Sequence, residues 1–165
     1  MPANERTGIV ILSVLDRLMD YDHRNRVEAM PAPAQSARAM RAAVRRDLEW
    51  LMNTRRIIQD PPEDCKELQR SVYAYGLPDI SSLSLFSTVD QKLLLKAIET
   101  AVVLFEPRLA RPKVTLRPVT ESSRSVHFVI EGLLRLDPEP EPIVFDAVLD
   151  LTSGTYAIQG DSGAR

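Results

Sequence analysis

The sequence predicts an α+β fold: a single domain with N-terminal helices packed against a C-terminal antiparallel sheet of three to four strands. Three observations carry that prediction. Apolar residues recur at helical spacing through the first two thirds of the chain, and from about Lys113 the period changes to two. Pro107 stands at the change of period, where a helix must stop. With 165 residues, 44% of them hydrophobic, the chain supports one core and falls short of two comfortable ones. The domain is expected over residues 9–159, with 1–8 and 160–165 as flexible tails.

A first amphipathic helix is expected over residues 9–20. Ile9, Leu12, Leu15 and Met19 form its apolar face, and Asp16, Arg17 and Asp20 are polar. Tyr21 to Gln35 mixes charge, prolines and alanines and reads as a connector. Ser36 offers a cap for a second helix running to about Asn53. Met40, Val44, Leu48 and Leu51 form its inner face, and Arg38, Arg41, Arg45 and Glu49 its outer one. Asp60-Pro61-Pro62 breaks the pattern, and Glu63 to Tyr73 has room for a short helix. Tyr75 to Ser87 reads as a loop packed down by Leu77, Ile80, Leu83, Leu85 and Phe86. Thr88-Val89-Asp90-Gln91 reads as a capping box opening a third helix, which buries Leu94, Ile98, Ala101, Val102 and Phe105.

Lys113 to Val119 is the first expected strand. In the second, Val126, Phe128, Ile130, Leu134 and Leu136 share a face, opposed by His127, Glu131 and Arg135. Asp137 to Pro142 is a stiff acidic connection. The third strand places Ile143, Phe145, Ala147 and Leu149 inward and Asp146 and Asp150 outward. Ser153-Gly154 turns it into a short fourth strand through Tyr156 and Ile158, and Gly160 to Arg165 is expected to fray.

Charge narrows the function. A net charge of −2 argues against a general nucleic-acid binder. The charge is nevertheless uneven. Residues 108–124 hold five basic side chains against Glu121, and residues 131–150 hold six acidic ones against Arg135. Either these blocks attract each other across neighbouring strands, or they form a bipolar surface that orients a protein partner. Cys65 is the only cysteine, so an internal disulfide and a Cys-rich zinc site are both excluded, and a reduced, cytoplasmic setting is expected. No apolar run approaches the ~20 residues needed to cross a bilayer, so membrane insertion is not expected.

Catalytic constellations are sparse, and no catalytic, cofactor-binding or metal-binding residue is assigned. Glu99 and Glu106 share one helix about 10 Å apart by helical rise, on one wall rather than facing each other. Asp146 and Asp150 lie roughly 13 Å apart along a strand. His23 sits in a polar connector and His127 on a polar strand face, both read as surface histidines. Six dispersed glycines make no phosphate-binding loop.

Two stretches stand out. Phe105-Glu106-Pro107-Arg108-Leu109 closes the third helix with an acid and a base either side of a proline. Such a corner either caps the helix end with an internal ion pair or specifies an interface, and the second reading is preferred. Tyr75-Gly76-Leu77-Pro78-Asp79 is a rigid turn or part of the same surface. The expected protein-interface residues are Glu106, Pro107, Arg108, Tyr75 and Asp79.

These stretches resemble the phage-tail baseplate wedge proteins nicknamed "lysozyme-like", and most closely their bacterial branch, the type VI secretion baseplate subunit TssE. The resemblance rests on Leu15-Asp16-Arg17-Leu18, Val44 to Arg56, Ser71 to Asp79, Phe105 to Leu109 and Asp137-Pro138 to Phe145-Asp146, in that order and spacing. Tyr73-Ala74 departs from the Leu-Asn of the family pattern. The resemblance implies a non-enzymatic structural subunit of a contractile injection machine, without cofactors. Its partners would be other wedge subunits and contractile sheath subunits, on the cytoplasmic side of the bacterial envelope. It also implies that Glu106, Pro107 and Arg108 serve wedge assembly, and that the sheet offers an edge on which the first sheath ring adds strands. The strands around Arg117 and Tyr156 are the candidate edges. The alternatives are a peptidoglycan-cleaving muramidase, as the nickname suggests, and the equivalent subunit of a phage tail or extracellular injection particle.

Overall fold

A computed structural model describes residues 13–18, 33–57, 61–62, 64–80, 83–84, 87–118, 124–137 and 139–163. Helices α1 (Val14–Leu18), α2 (Pro33–Asn53) and α3 (Thr88–Phe105) precede strands β1 (Leu109–Leu116), β2 (Ser125–Leu134), β3 (Glu141–Asp150) and β4 (Thr155–Gly163). The strands form one antiparallel sheet in the order β1-β2-β3-β4, so the α+β architecture is as the sequence predicts. None of the described helices is long and apolar enough to cross a membrane.

The helices cover one face of the sheet, with α3 against β1 and α2 against β4. Alternation supplies the sheet side of the core: Val126, Phe128, Ile130 and Leu134 from β2, then Ile143, Phe145, Ala147 and Leu149 from β3. Gly132 occupies the inward position between Ile130 and Leu134. A Cβ there would lie 2.7 Å from Leu109 Cδ1, so the glycine makes room for the first residue of β1. The helix side comes from Met40, Val44, Leu48 and Leu51 of α2 and Leu94, Ile98, Ala101 and Val102 of α3, all buried. Phe105, expected in the core, is only partly buried and packs at its margin.

Several boundaries differ from expectation. Helix α2 starts at Pro33, so Ser36 is not a cap; it is buried within the helix, among Ala34, Ala37 and Ala39, which favour helical geometry. The cap of α3 is Ser87 rather than Thr88, its hydroxyl accepting from Asp90 N–H at 3.4 Å. Where one short helix was expected up to Tyr73, the described residues form two 3₁₀ turns, Leu68–Arg70 and Val72–Ala74, the second ending one residue beyond Tyr73. Strand β1 begins four residues before Lys113, because Leu109 and Ala110 already pair with Leu134 and Leu133. The ladder then skips Arg111 and Pro112, with Arg111 at φ 51°, a bulge that accommodates the missing proline N–H. Strand β4 continues to Gly163, opposite Ile143, past the point where the chain was expected to fray. Of the first expected helix, over residues 9–20, only 13–18 lie within the described residues, and Leu85, Phe86 and Val119 lie outside them.

The charge blocks meet on the sheet. Lys113 stands opposite Glu131 on β2, and Arg117 reaches over β2 to Asp146 at 2.5 Å. Glu141, at the start of β3, pairs with Arg41 of α2.

Candidate functional site

Glu106 is the first residue after α3, at φ −122° and ψ 72°. Its N–H still donates to Val102 O at 2.9 Å, so the helical ladder is complete to this point. Pro107 then prevents continuation. The chain turns, and Leu109 N–H donates back to Glu106 O at 3.1 Å. Arg108 O accepts from Arg135 N–H at 2.8 Å as β1 joins the sheet. Backbone bonds thus fix the corner on both sides, with Pro107 exposed at its apex.

The Glu106 side chain turns inward and the residue is 2% exposed. A carboxylate that deep needs a cation and hydrogen bonds. Arg108 supplies both, through Nε to Oε1 at 2.7 Å and Nη2 to Oε2 at 2.5 Å, and its N–H donates to Oε1 at 3.3 Å. This bidentate geometry is the strong form of the contact.

Arg108 is shared. Its Nη2 also donates to Asp47 Oδ2 of α2 at 2.5 Å. Asp47 Oδ1 accepts from Arg46 Nε at 2.9 Å and Nη2 at 2.7 Å. Arg46 Nη1 then reaches Asp16 Oδ1 of α1 at 2.6 Å, and Ser13 Oγ donates to Asp16 Oδ2 at 2.6 Å. Glu106, Arg108, Asp47, Arg46 and Asp16 therefore form a ladder of alternating charge that ties the corner to α2 and α1. The Arg46 guanidinium also lies over Trp50, 4.9 Å from the ring centre.

The protonation equilibria reflect this arrangement. Burial opposes the charge of Arg108, but hydrogen bonds to Glu106 and Asp47, and their negative charges, outweigh it and raise its pKa. Arg46 is raised chiefly by its hydrogen bond to Asp16. Tyr75 is raised by burial and then by the charges of Asp47 and Glu106. Arg108 Nη1 is buried without a hydrogen-bond partner among the described residues.

Of the residues singled out in the sequence, Glu106, Pro107 and Arg108 form the corner itself. Tyr75 stands beside it, its ring edge-on to Phe105 with centres 5.2 Å apart. Asp79 is exposed, further along the loop. The stretch between them is pinned to the end of α2, where Leu77 N–H donates to Thr54 O at 2.8 Å and Arg56 N–H to Leu77 O at 2.9 Å. Asp16, Arg46 and Asp47 were not singled out for the site. Asp16 was expected on the polar side of its helix and instead faces α2. The available signal was the Arg46-Asp47 pair immediately before buried Leu48, flanking the apolar stripe of α2.

The two carboxylates nearest the corner share one guanidinium; they do not face each other across a groove. Two grooves of 490 and 350 Å³ lie elsewhere, one along α3 and one between the end of α2 and the β3–β4 turn. Among the described residues neither is lined by Asp or Glu.

The sheet edges differ. On β4, Asn53 pairs with both backbone groups of Tyr156, and Glu49, expected on the outer face of α2, accepts from Ile158 N–H at 3.4 Å. At Tyr156 and Ile158 that edge is covered by α2 side chains. On the other side, Arg117 N–H donates to His127 O at 2.9 Å. By antiparallel alternation Lys113 and Thr115 also bond toward β2, leaving the backbone groups of Val114 and Leu116 pointing away from the sheet.

Residues 38–139, more than half of the chain, match the family described as baseplate wedge protein gp25. The match runs from α2 through the corner and β1 to the end of β2. The chain matches no curated protein and no solved structure.

Proposed function

Because the chain belongs to the baseplate wedge protein gp25 family, the family of TssE, we propose that it is a structural baseplate subunit of a type VI secretion machine. On this reading it links the baseplate wedge to the contractile sheath on the cytoplasmic side of the envelope and breaks no bonds. The observation that carries the reading is the charge ladder behind Pro107. It holds Glu106 and Arg108 in one geometry and ties them to two other parts of the chain, leaving the proline exposed at the apex. A corner ordered before docking loses little entropy on docking.

The wedge subunits would meet this corner, with Tyr75 and Asp79 at the margin of the contact. The first sheath ring would add a strand beside Val114 and Leu116, since an edge of unpaired backbone groups templates an incoming chain. The muramidase alternative lacks support in the geometry: Glu106 is held by Arg108, and Asp47 sits on the same cation.

The test replaces both charges together, Glu106→Gln with Arg108→Gln, so that no buried charge is orphaned. The double variant should keep its circular dichroism spectrum and lose co-purification with the other baseplate subunits. Normal sheath assembly by a folded double variant would refute the reading.

A further inference from the structure

The open edge of β1 is short and carries one sign of charge. Val114 and Leu116 supply its outward backbone groups. Pro112 and Pro118 stand on either side of them, and neither has an N–H to give. The usable edge therefore runs only from Lys113 to Arg117. Within it Val114 and Leu116 turn their side chains to the core, while Lys113, Thr115 and Arg117 share the outer face. From Leu109 to Pro118 there are three basic residues, Arg111, Lys113 and Arg117, and no acidic one.

This pattern works against a second copy of the chain. Two copies joined at this edge about a two-fold axis pair their β1 strands antiparallel. With the axis at Thr115, Lys113 of each copy faces Arg117 of the other on the same outer face. Like charges directly opposite each other weaken a strand pair. Moving the axis by one residue sets Leu116 opposite Pro112, or Val114 opposite Pro118, and a ladder bond is lost. Lysine and proline on an edge strand guard against self-pairing in this way.

The same two cations discriminate among other strands. Lys113 stands opposite Glu131 of β2, and Arg117 reaches Asp146 of β3, so each has an acid on the sheet side. An added strand lies on the other side, where its residues opposite Lys113 and Arg117 are four apart and share a face. Acids there repeat across the new seam the alternation of sign between Lys113 and Glu131. Bases there repeat the clash that bars a second copy.

We infer that the β1 edge selects by charge. It takes a short extended segment of another protein with Asp or Glu at two positions four residues apart, and it excludes its own copy. This rests on the reading that a strand is added beside Val114 and Leu116, and specifies which strand.

The experiment titrates the full, isotope-labelled chain with capped peptides of alternating valine and threonine. They differ only at two positions four residues apart, which are glutamate, glutamine or lysine. Amide shifts at Val114 and Leu116 report pairing. The glutamate peptide should bind about tenfold tighter than the glutamine one, and the lysine peptide should leave both amides unmoved. Lys113→Glu sets an acid opposite Arg117 in the two-fold register. That variant should self-associate in sedimentation, with Val114 and Leu116 N–H protected from exchange, and should lose the preference for the glutamate peptide. Equal binding of the glutamate and glutamine peptides, or a monomeric Lys113→Glu, would overturn the inference and leave strand addition standing. Unmoved Val114 and Leu116 amides with every peptide would instead overturn strand addition at this edge, and the inference with it.

Discussion

The Asn53 side chain reads the Tyr156 backbone twice: Nδ2 donates to Tyr156 O and Oδ1 accepts from Tyr156 N–H, each at 2.8 Å. The last residue of α2 thus occupies the place a fifth strand would take on β4. Tyr156 is buried, so Asn53→Ala leaves a donor and an acceptor without water to replace the amide. A loss of about 1–3 kcal/mol is expected in urea unfolding. Asn53→Asp keeps the acceptor but loses the donor and sets a negative charge at the negative end of α2. It should therefore fall below the wild type as well. Wild-type stability in both variants would show that the edge is closed by packing alone.

Glu106 and Arg108 predict unequal effects from removing one charge or both. Arg108→Ala leaves Glu106 buried and without its bidentate cation, and a loss of about 3–5 kcal/mol is expected. The double change to glutamine removes attraction and desolvation cost together, so it should lose distinctly less. Denaturant unfolding of the two variants checks the order. Equal losses would mean that the ion pair itself, rather than the orphaned charge, dominates.

These contacts also mark where sequence reasoning stops. The stripe from Met40 to Leu51 and the alternation from Val126 to Ile130 follow from local period, so the inner faces of α2, β2 and β3 were legible residue by residue. The corner was legible too, because proline acts on its immediate neighbours. Asp47 was not: it lies 61 residues before Arg108, and nothing in a periodic pattern reports a side chain on the margin of a buried stripe. The same holds for Asn53 and Tyr156, which are 103 apart and met only when α2 settled on β4. Ser36 and Thr88 failed for a different reason. Each is an acceptable cap by residue type, and the helix start was decided by a neighbour, Pro33 before Ser36 and the hydroxyl of Ser87 before Thr88.

Acid should loosen the far end of the ladder. Burial pushes the Asp16 pKa up, but hydrogen bonds from Arg46 and Ser13 and the charges of Arg46 and Arg108 prevail and leave it lowered. A lowered folded-state value means the unfolded chain holds that proton more tightly. The contribution is therefore complete above the unfolded value of about 3.9 and lost as pH falls through the lower folded one. Asp150, lowered by the N–H groups of Thr152 and Ser153, acts with the same sign. Unfolding free energy should be level near neutrality and decline in acid. Arg46→Met should make that decline shallower without abolishing it; an unchanged slope would show that Asp16 gains nothing from Arg46 in the folded protein.

Gly76 and Gly154 both have positive φ, at 108° and 69°, yet alanine should affect them very differently. At Gly154 a Cβ meets nothing within 4 Å, so the cost is the left-handed backbone alone, about 1–2 kcal/mol. At Gly76 the new carbon would stand 2.3 Å from Thr54 O and 3.1 Å from Arg56 N, both backbone atoms of the segment that pairs with Leu77. Neither can swing aside as a side-chain end can. Gly76→Ala must therefore part the loop from the end of α2, lose the two backbone bonds of Leu77, and free Tyr75 from its place beside Phe105. Hydrogen exchange should show Leu77 N–H unprotected in Gly76→Ala and protected in Gly154→Ala, with the larger fall in melting temperature in the first. Similar falls would mean that the loop accommodates a side chain without leaving α2.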